Sequence, residues 1–270
     1  MKIVVLIALI GCFCSVRAQE EIAVQNGAYV DAQNYGGKKE FKRFILQELN
    51  YPKAALLSKT EGTVEVASII NNKTGLPSKI HVKKSVSKEL DTEAIRLYKL
   101  VLFSPTFYKG DDKIAYSTLK FKFSTKSYKR FSKKRGYKDA LEKYEGVVDT
   151  FKVYKDNQVK VKPQTLFEDT LENISTFIQK NLKYPQGTLN LNITGTVKLF
   201  FVVEPSGRVT NIKLQKVVGG GASEEAIRLL YLTKWEAGEK DGQKVRVSKV
   251  IEVEFNLSNE ANMDYVPTSY

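Results

Sequence analysis

Residues 44–52, FILQELNYP, return 133 positions later as residues 177–185, FIQKNLKYP. Phe44-Ile45 becomes Phe177-Ile178, and Leu49-x-Tyr51-Pro52 becomes Leu182-x-Tyr184-Pro185. The offset holds through Gly62-Thr63-Val64 and Gly195-Thr196-Val197. After a one-residue length difference it becomes 132, linking Gly75 to Gly207, Ile80 to Ile212, Ala94-Ile95-Arg96-Leu97 to Ala226-Ile227-Arg228-Leu229, and Phe123 to Phe255. An ordered series of this length, needing one insertion, is an internal repeat, and a repeat governs the fold before any single element does. The reading is two tandem units, residues 41–124 and 166–257, the first the more divergent.

Each unit spells the same elements. Phe41, Phe44, Ile45 and Leu49 fall on one face of a short helix, as do Ile174, Phe177, Ile178 and Leu182. Tyr-Pro closes that helix, because the residue before proline is pushed out of the α region. A strand follows over Gly62–Ile70 or Gly195–Val203, with Val64, Val66 and Ile70, or Val197, Leu199, Phe201 and Val203, facing inward. Asn72–Gly75 and Pro205–Gly207 supply a hairpin turn with glycine at positive φ. The second strand carries Ile80 and Val82, or Ile212 and Leu214. Asp91 and Ser223 stand before Thr-Glu-Ala-Ile-Arg-Leu and Glu-Glu-Ala-Ile-Arg-Leu and read as N-caps of a second helix. A third strand carries Leu119, Phe121 and Phe123, or Ile251, Val253 and Phe255. The fold class is α+β: two small two-layer domains, each helix–strand–strand–helix–strand with a three-stranded, mainly antiparallel sheet.

The flanking segments set the compartment and the charge. Residues 1–18, MKIVVLIALIGCFCSVRA, carry a basic start at Lys2, an apolar run, and a small-residue cleavage site before Gln19. The run from Ile3 to Val16 is short for a hydrocarbon core of about 30 Å. A signal peptide ending at Ala18 is expected. Leu9-Ile10-Gly11-Cys12 offers a second processing route, a lipobox with Cys12 lipidated. Both cysteines lie in this segment, so cleavage after Ala18 leaves no thiol. The 270 residues include 43 Lys+Arg, 30 Asp+Glu and one His, a net of +13. That charge is uneven: residues 166–255 hold 12 basic and 11 acidic residues, whereas residues 19–165 hold a net +12. Residues 19–40 form an N-terminal segment, 125–165 a basic linker, and 258–270 a tail.

The ordered set of Tyr-Pro, Gly-x-Val, Glu-Glu-Ala-Ile-Arg, Trp235 and a closing Ile-x-Val-x-Phe, found twice, resembles the C-terminal domain of TonB-type energy transducers. The second unit is the closer match, with Trp235-Glu236-Ala237-Gly238; the first has Phe103-Ser104-Pro105-Thr106 in that place. The resemblance implies a periplasmic binding module, without catalytic residues or cofactor. Its partner would be an extended peptide, such as the TonB box of an outer-membrane transporter, or another envelope protein. The peptide would pair with a sheet edge by strand addition. The implied edge is Lys249, Val250, Ile251, Glu252, Val253, Glu254 and Phe255, with Ser117–Phe123 as its counterpart. Tyr184-Pro185 and Tyr51-Pro52 would lie nearby. Val250, Glu252 and Glu254 alternate with the inward set; they either set specificity or blunt the edge against aggregation. The chain departs from a working transducer in its cleavable N-terminus and its seven prolines, too few for a proline-rich spacer. A cell-envelope scaffold that binds cell wall or self-associates as a homodimer is the alternative.

Other features point less far. Lys120, Lys122, Lys126, Lys129, Arg130, Lys133, Lys134, Arg135 and Lys138 run without an acid, interleaved with Tyr128, Phe131 and Tyr137. Behind a signal peptide, the matching partner is an anionic envelope polymer rather than nucleic acid. Phe151–Val153 and Val159–Val161 alternate around Lys155–Gln158 and suggest an extra hairpin. His81 stands alone on a strand, with no carboxylate or thiol at ligand spacing, so no metal site is expected. Gly219-Gly220-Gly221 lacks the Lys-Ser/Thr of a phosphate loop. No acid–base pair or activated nucleophile emerges, so binding rather than chemistry is the expectation.

Overall fold

The computed structural model describes residues 29–72, 74–104, 114–134, 151–167 and 173–256. The signal-peptide segment with Cys12, the Arg135–Lys138 end of the basic run and the tail lie outside them. The first half of the chain holds β1 (Tyr29–Asp31), α1 (Gly37–Glu48), α2 (Lys53–Leu57), β2 (Gly62–Ile70), β3 (Pro77–Lys84), α3 (Lys88–Leu100), β4 (Ile114–Phe123) and α4 (Thr125–Lys134). The second holds β5 (Val153–Lys155), β6 (Gln164–Leu166), α5 (Ile174–Asn181), α6 (Gln186–Asn190), β7 (Gly195–Val203) and β8 (Val209–Lys216). It closes with α7 (Ala222–Leu232), β9 (Lys234–Glu236), β10 (Gly238–Lys240) and β11 (Gln243–Phe255). No helix among the described residues is long and apolar enough to cross a membrane.

The chain divides into two units, Met1–Asn34 with Tyr51–Arg130, and Tyr35–Asn50 with Phe131–Tyr270. In unit 1 the central strand β2 pairs antiparallel with β3 and β4, and β1 adds to β4 in parallel. Val64, Val66 and Ile70 are buried as their alternation demands, and α3 covers them with Leu90, Ala94, Leu97 and Tyr98. Each Val, Ile or Leu among them removed from water contributes about 1.5–3 kcal/mol. The Tyr98 hydroxyl lies 2.7 Å from the Ser68 hydroxyl and donates to the Ser117 carbonyl, so its polar tip is satisfied inside the core.

Unit 2 repeats the plan. β7 pairs antiparallel with β8 and β11. α7 lays Ala222, Ala226, Leu229 and Leu230 against Val197, Leu199, Phe201 and Val203. Trp235 packs on Phe201 at 5.3 Å, and its indole N–H donates to the Thr233 hydroxyl. Even the irregularities recur at the repeat offset. Both hairpins break register, between Ala67 and Ile69 and between Phe200 and Val202, and Lys79 and Asn211 take φ of 50° and 51°. α2 and α6 start directly after Pro52 and Pro185, whose fixed φ suits a helix start. The hairpin glycines Gly75 and Gly207 sit at φ 71° and 76°. At Gly207 a side chain is doubly barred, since a Cβ would stand 2.2 Å from the Trp235 carbonyl oxygen.

Three expectations change. Asp91 and Ser223 are not N-caps. The Ser87 hydroxyl caps α3 by accepting from Leu90 N–H, and Gly221 in the left-handed region caps α7. The helix-favouring run Lys88-Glu89-Leu90 extends α3 back by a turn. Asp91 and Ser223 instead pin the preceding loops, accepting from Val86 N–H and Val218 N–H, five residues back in both repeats. The hairpin around Lys155–Gln158 does not form: Val153–Lys155 pairs with β11, and Val161 bridges to Glu239. The start of the basic linker is the helix α4, with Tyr128 and Ser132 buried four residues apart.

Helix α1 belongs to unit 2, although in sequence it opens the first repeat. The Arg208 guanidinium donates to the Gln47 carbonyl, the Tyr231 hydroxyl donates to Glu40, and Arg43 stacks 4.3 Å above the Tyr231 ring. Burial, and then the Glu40 carboxylate, push the Tyr231 phenol upward. Tyr35 meets Phe200 edge-on at 5.5 Å. Gly36 permits the approach, because at φ 70° its Cβ would come within 2.6 Å of the Ile212 carbonyl oxygen.

Candidate functional site: the outer edge of the last strand

Strand β11 has 13 residues, longer than any strand beside it. On one side β7 pairs with Val247–Phe255. Elsewhere along it, β10 pairs with residues 243–245 and β5 adds in parallel at Arg246, Val247 and Ser248. The β5 addition is bolted from inside. Buried Arg246 grips buried Glu204 with two hydrogen bonds of 2.8 and 2.9 Å, and its third nitrogen donates to the Phe151 carbonyl just before β5. Thr210 donates its hydroxyl to the same carboxylate. Ser248 donates its hydroxyl to the Tyr154 carbonyl, and Lys249 Nζ sits 2.6 Å from Asp156. Such a buried pair holds because both charges are hydrogen-bonded as well as paired.

Beyond β5 the edge opens. Among the described residues no strand lies against the outer side of residues 249–255. Helix α5 runs alongside. Ile174, Ser175, Ile178, Gln179 and Leu182, together with the edge residues Val250, Ile251, Glu252 and Glu254, line a groove of about 440 Å³. An open edge beside an apolar wall offers unpaired main-chain donors and acceptors and a place for alternate side chains of a guest strand.

The implied site residues separate by environment. Val250 is 45% exposed, Glu252 and Glu254 are exposed, and Ile251, Val253 and Phe255 are buried in the core. Glu252 pairs with Lys198 at 2.9 Å directly across the sheet. That hydrogen bond and charge, with Lys216 behind, hold its carboxyl below the usual range. Glu254 lies opposite Thr196. Tyr184 meets Phe255 edge-on at 5.6 Å, as Tyr51 meets Phe123 at 5.7 Å in unit 1. The two tyrosines thus brace the ends of the closing strands. The Tyr51 hydroxyl donates to the Thr60 carbonyl, and burial, with Glu61 nearby, pushes it up to about 12. Pro52 and Pro185 begin short helices, their carbonyls accepting from Leu56 and Leu189 N–H.

In unit 1, β1 pairs with Ile114–Tyr116, the positions equivalent to those β5 holds on β11. The stretch Ser117–Phe123 has no strand on its outer side among the described residues. The groove wall on α5 and the β5 strap were not read from sequence. For β5 the alternation of Phe151–Val153 was the signal, and its partner strand was missed. Among the described residues no group of three or more His, Cys, Asp or Glu is placed to hold a metal, and His81 Nδ1 lies 3.0 Å from the Lys79 carbonyl.

No curated protein matches the chain. The family described as Gram-negative bacterial TonB protein C-terminal matches twice, over residues 47–125 and 180–257. Each match spans the helix end with its Tyr-Pro, the three antiparallel strands and the covering helix. That family consists of periplasmic binding domains of energy-coupled envelope transport. Matched over more than half its length, with the same fold built twice, the chain belongs to the TonB C-terminal family and carries two tandem copies of its domain.

Proposed function

We propose that this protein binds an extended peptide segment in the periplasm by strand addition to the outer edge of β11, at residues 249–255. The observation that carries the reading is the open edge beside the α5 groove, directly beyond a strand the same edge already accepts. β5 is strand addition from within the chain, and a guest would continue its line. The fitting partner is a TonB-box-like segment of an outer-membrane transporter, or a similar segment of another envelope protein. Main-chain hydrogen bonds supply the affinity, and the groove selects the residues facing α5. Residues 1–18 act as an export signal, cleaved after Ala18 or processed to a lipidated Cys12. Exposed Lys126, Lys129 and Lys133 on α4 suit an anionic envelope polymer.

Titrating the exported chain with TonB-box peptides while following backbone amide shifts tests this. Shifts confined to residues 249–255 and the α5 wall are expected. Unmoved signals there at millimolar peptide, with retention on peptidoglycan, would favour the scaffolding alternative.

A further inference from the structure

The same edge carries a charge pattern that selects among guests. Residues of a guest strand alternate between the α5 side and the outer face, and on the outer face they stand beside Val250, Glu252 and Glu254. Two of the cations nearby are already engaged. Lys198 pairs with Glu252 from the inner strand, and Lys249 is held by Asp156. Lys216 sits one strand further in, opposite Lys198. No residue among those described pairs with the Glu254 carboxylate, whose neighbour across the sheet is Thr196. The outermost row of this face is therefore one exposed apolar side chain followed by two carboxylates.

We infer that the preferred guest is a basic amphipathic strand, with apolar residues facing the α5 groove and Lys or Arg facing Glu252 and Glu254. This inference rests on the strand-addition reading and names its substrate class. Opposite charges across a strand pair attract, and like charges directly opposite repel. The same rule works against a second copy of this chain. A two-fold antiparallel pairing centred on Glu252 would set that carboxylate against its own mate.

The test uses three synthetic peptides with alternating Val and X over nine residues, where X is Lys, Gln or Glu; the registers that seat Val in the α5 groove present X to the outer face. Binding to the exported chain is read from amide shifts in residues 249–255. The Lys peptide should bind about tenfold more tightly than the Glu peptide, with Gln between, and the spread should shrink as salt rises. Glu254→Lys, a change at an exposed position, should narrow or reverse that order without altering the fold. Equal binding of all three peptides, or tightest binding of the Glu peptide, overturns the inference and leaves strand addition standing. If no peptide moves these signals, both fall together.

Discussion

The closing strand is held near its start by one buried ion pair. Arg246 and Glu204 are 1% and 3% exposed at their side chains, and two further polar groups, the Phe151 carbonyl and the Thr210 hydroxyl, hydrogen-bond to them. Removing one partner strands the other charge, so Glu204→Ala should cost about 3–5 kcal/mol, measured by urea unfolding. Replacing both with well-packed Leu and Met should recover most of that loss. The double variant should still release β5, because the bond to the Phe151 carbonyl goes with the guanidinium. Faster hydrogen exchange at residues 153–155 would report it. Glu252 behaves differently, being exposed. Its folded carboxyl titrates below the ordinary value, so its contribution is present above the unfolded carboxylate range and is lost as pH falls through the lowered folded value. A side-chain carbon titration should find the Glu252 midpoint below that of an ordinary glutamate, and Lys198→Ala should move it back up.

At the scale of elements, the correction at α3 is testable. Ser87→Ala should cost about 1 kcal/mol through loss of the cap. Asp91→Ala should loosen residues 85 and 86, whose hydroxyl and amide it accepts, and leave the helix start in place. Amide exchange at Leu90 against Val86 separates the two. What was legible follows the same line. Strands β2 and β7 stand where their alternation puts them, Gly62–Ile70 and Gly195–Val203, because each face meets a different solvent. Local patterns also carried Tyr-Pro and the hairpin glycines. The α3 cap was misplaced because two polar residues, Ser87 and Asp91, lay one turn apart and both make real hydrogen bonds, whereas α7 is capped by the backbone freedom of Gly221, two residues before Ser223. β5 escaped because three residues carry little periodicity and their partners lie some 93 positions away. α4 read as a linker because its buried stripe is narrow, Tyr128 and Ser132 among lysines. At the candidate site, the edge Lys249–Phe255 was named through family resemblance, whereas Ile174, Ser175 and Gln179 were not: a groove wall is a tertiary fact, visible only once α5 is laid beside β11.

For the whole molecule, duplication of the fold did not duplicate the surface. Residues 19–165 carry a net +12 and residues 166–255 are nearly neutral, so the two halves of the chain differ sharply in charge. A polyanion such as heparin, used as a probe, should be retained through the first part of the chain. Glu substitutions at Lys126, Lys129 and Lys133 together should lower the salt needed for elution, while leaving peptide titration of β11 unchanged. The placement of α1 bears on how the chain comes to be folded at all. Glu40 waits for Tyr231, 191 residues further on, and Gln47 for Arg208, 161 residues further on. At synthesis rates of about 5–20 residues per second, that gap is on the order of ten to forty seconds. During it the first antiparallel sheet can close on its own local partners, but the helix that precedes it still lacks Arg208 and Tyr231. Helix α1 thus cannot finish until the second repeat has emerged, and a nascent chain interrupted before Arg208 would keep α1 exposed to chaperones and proteases.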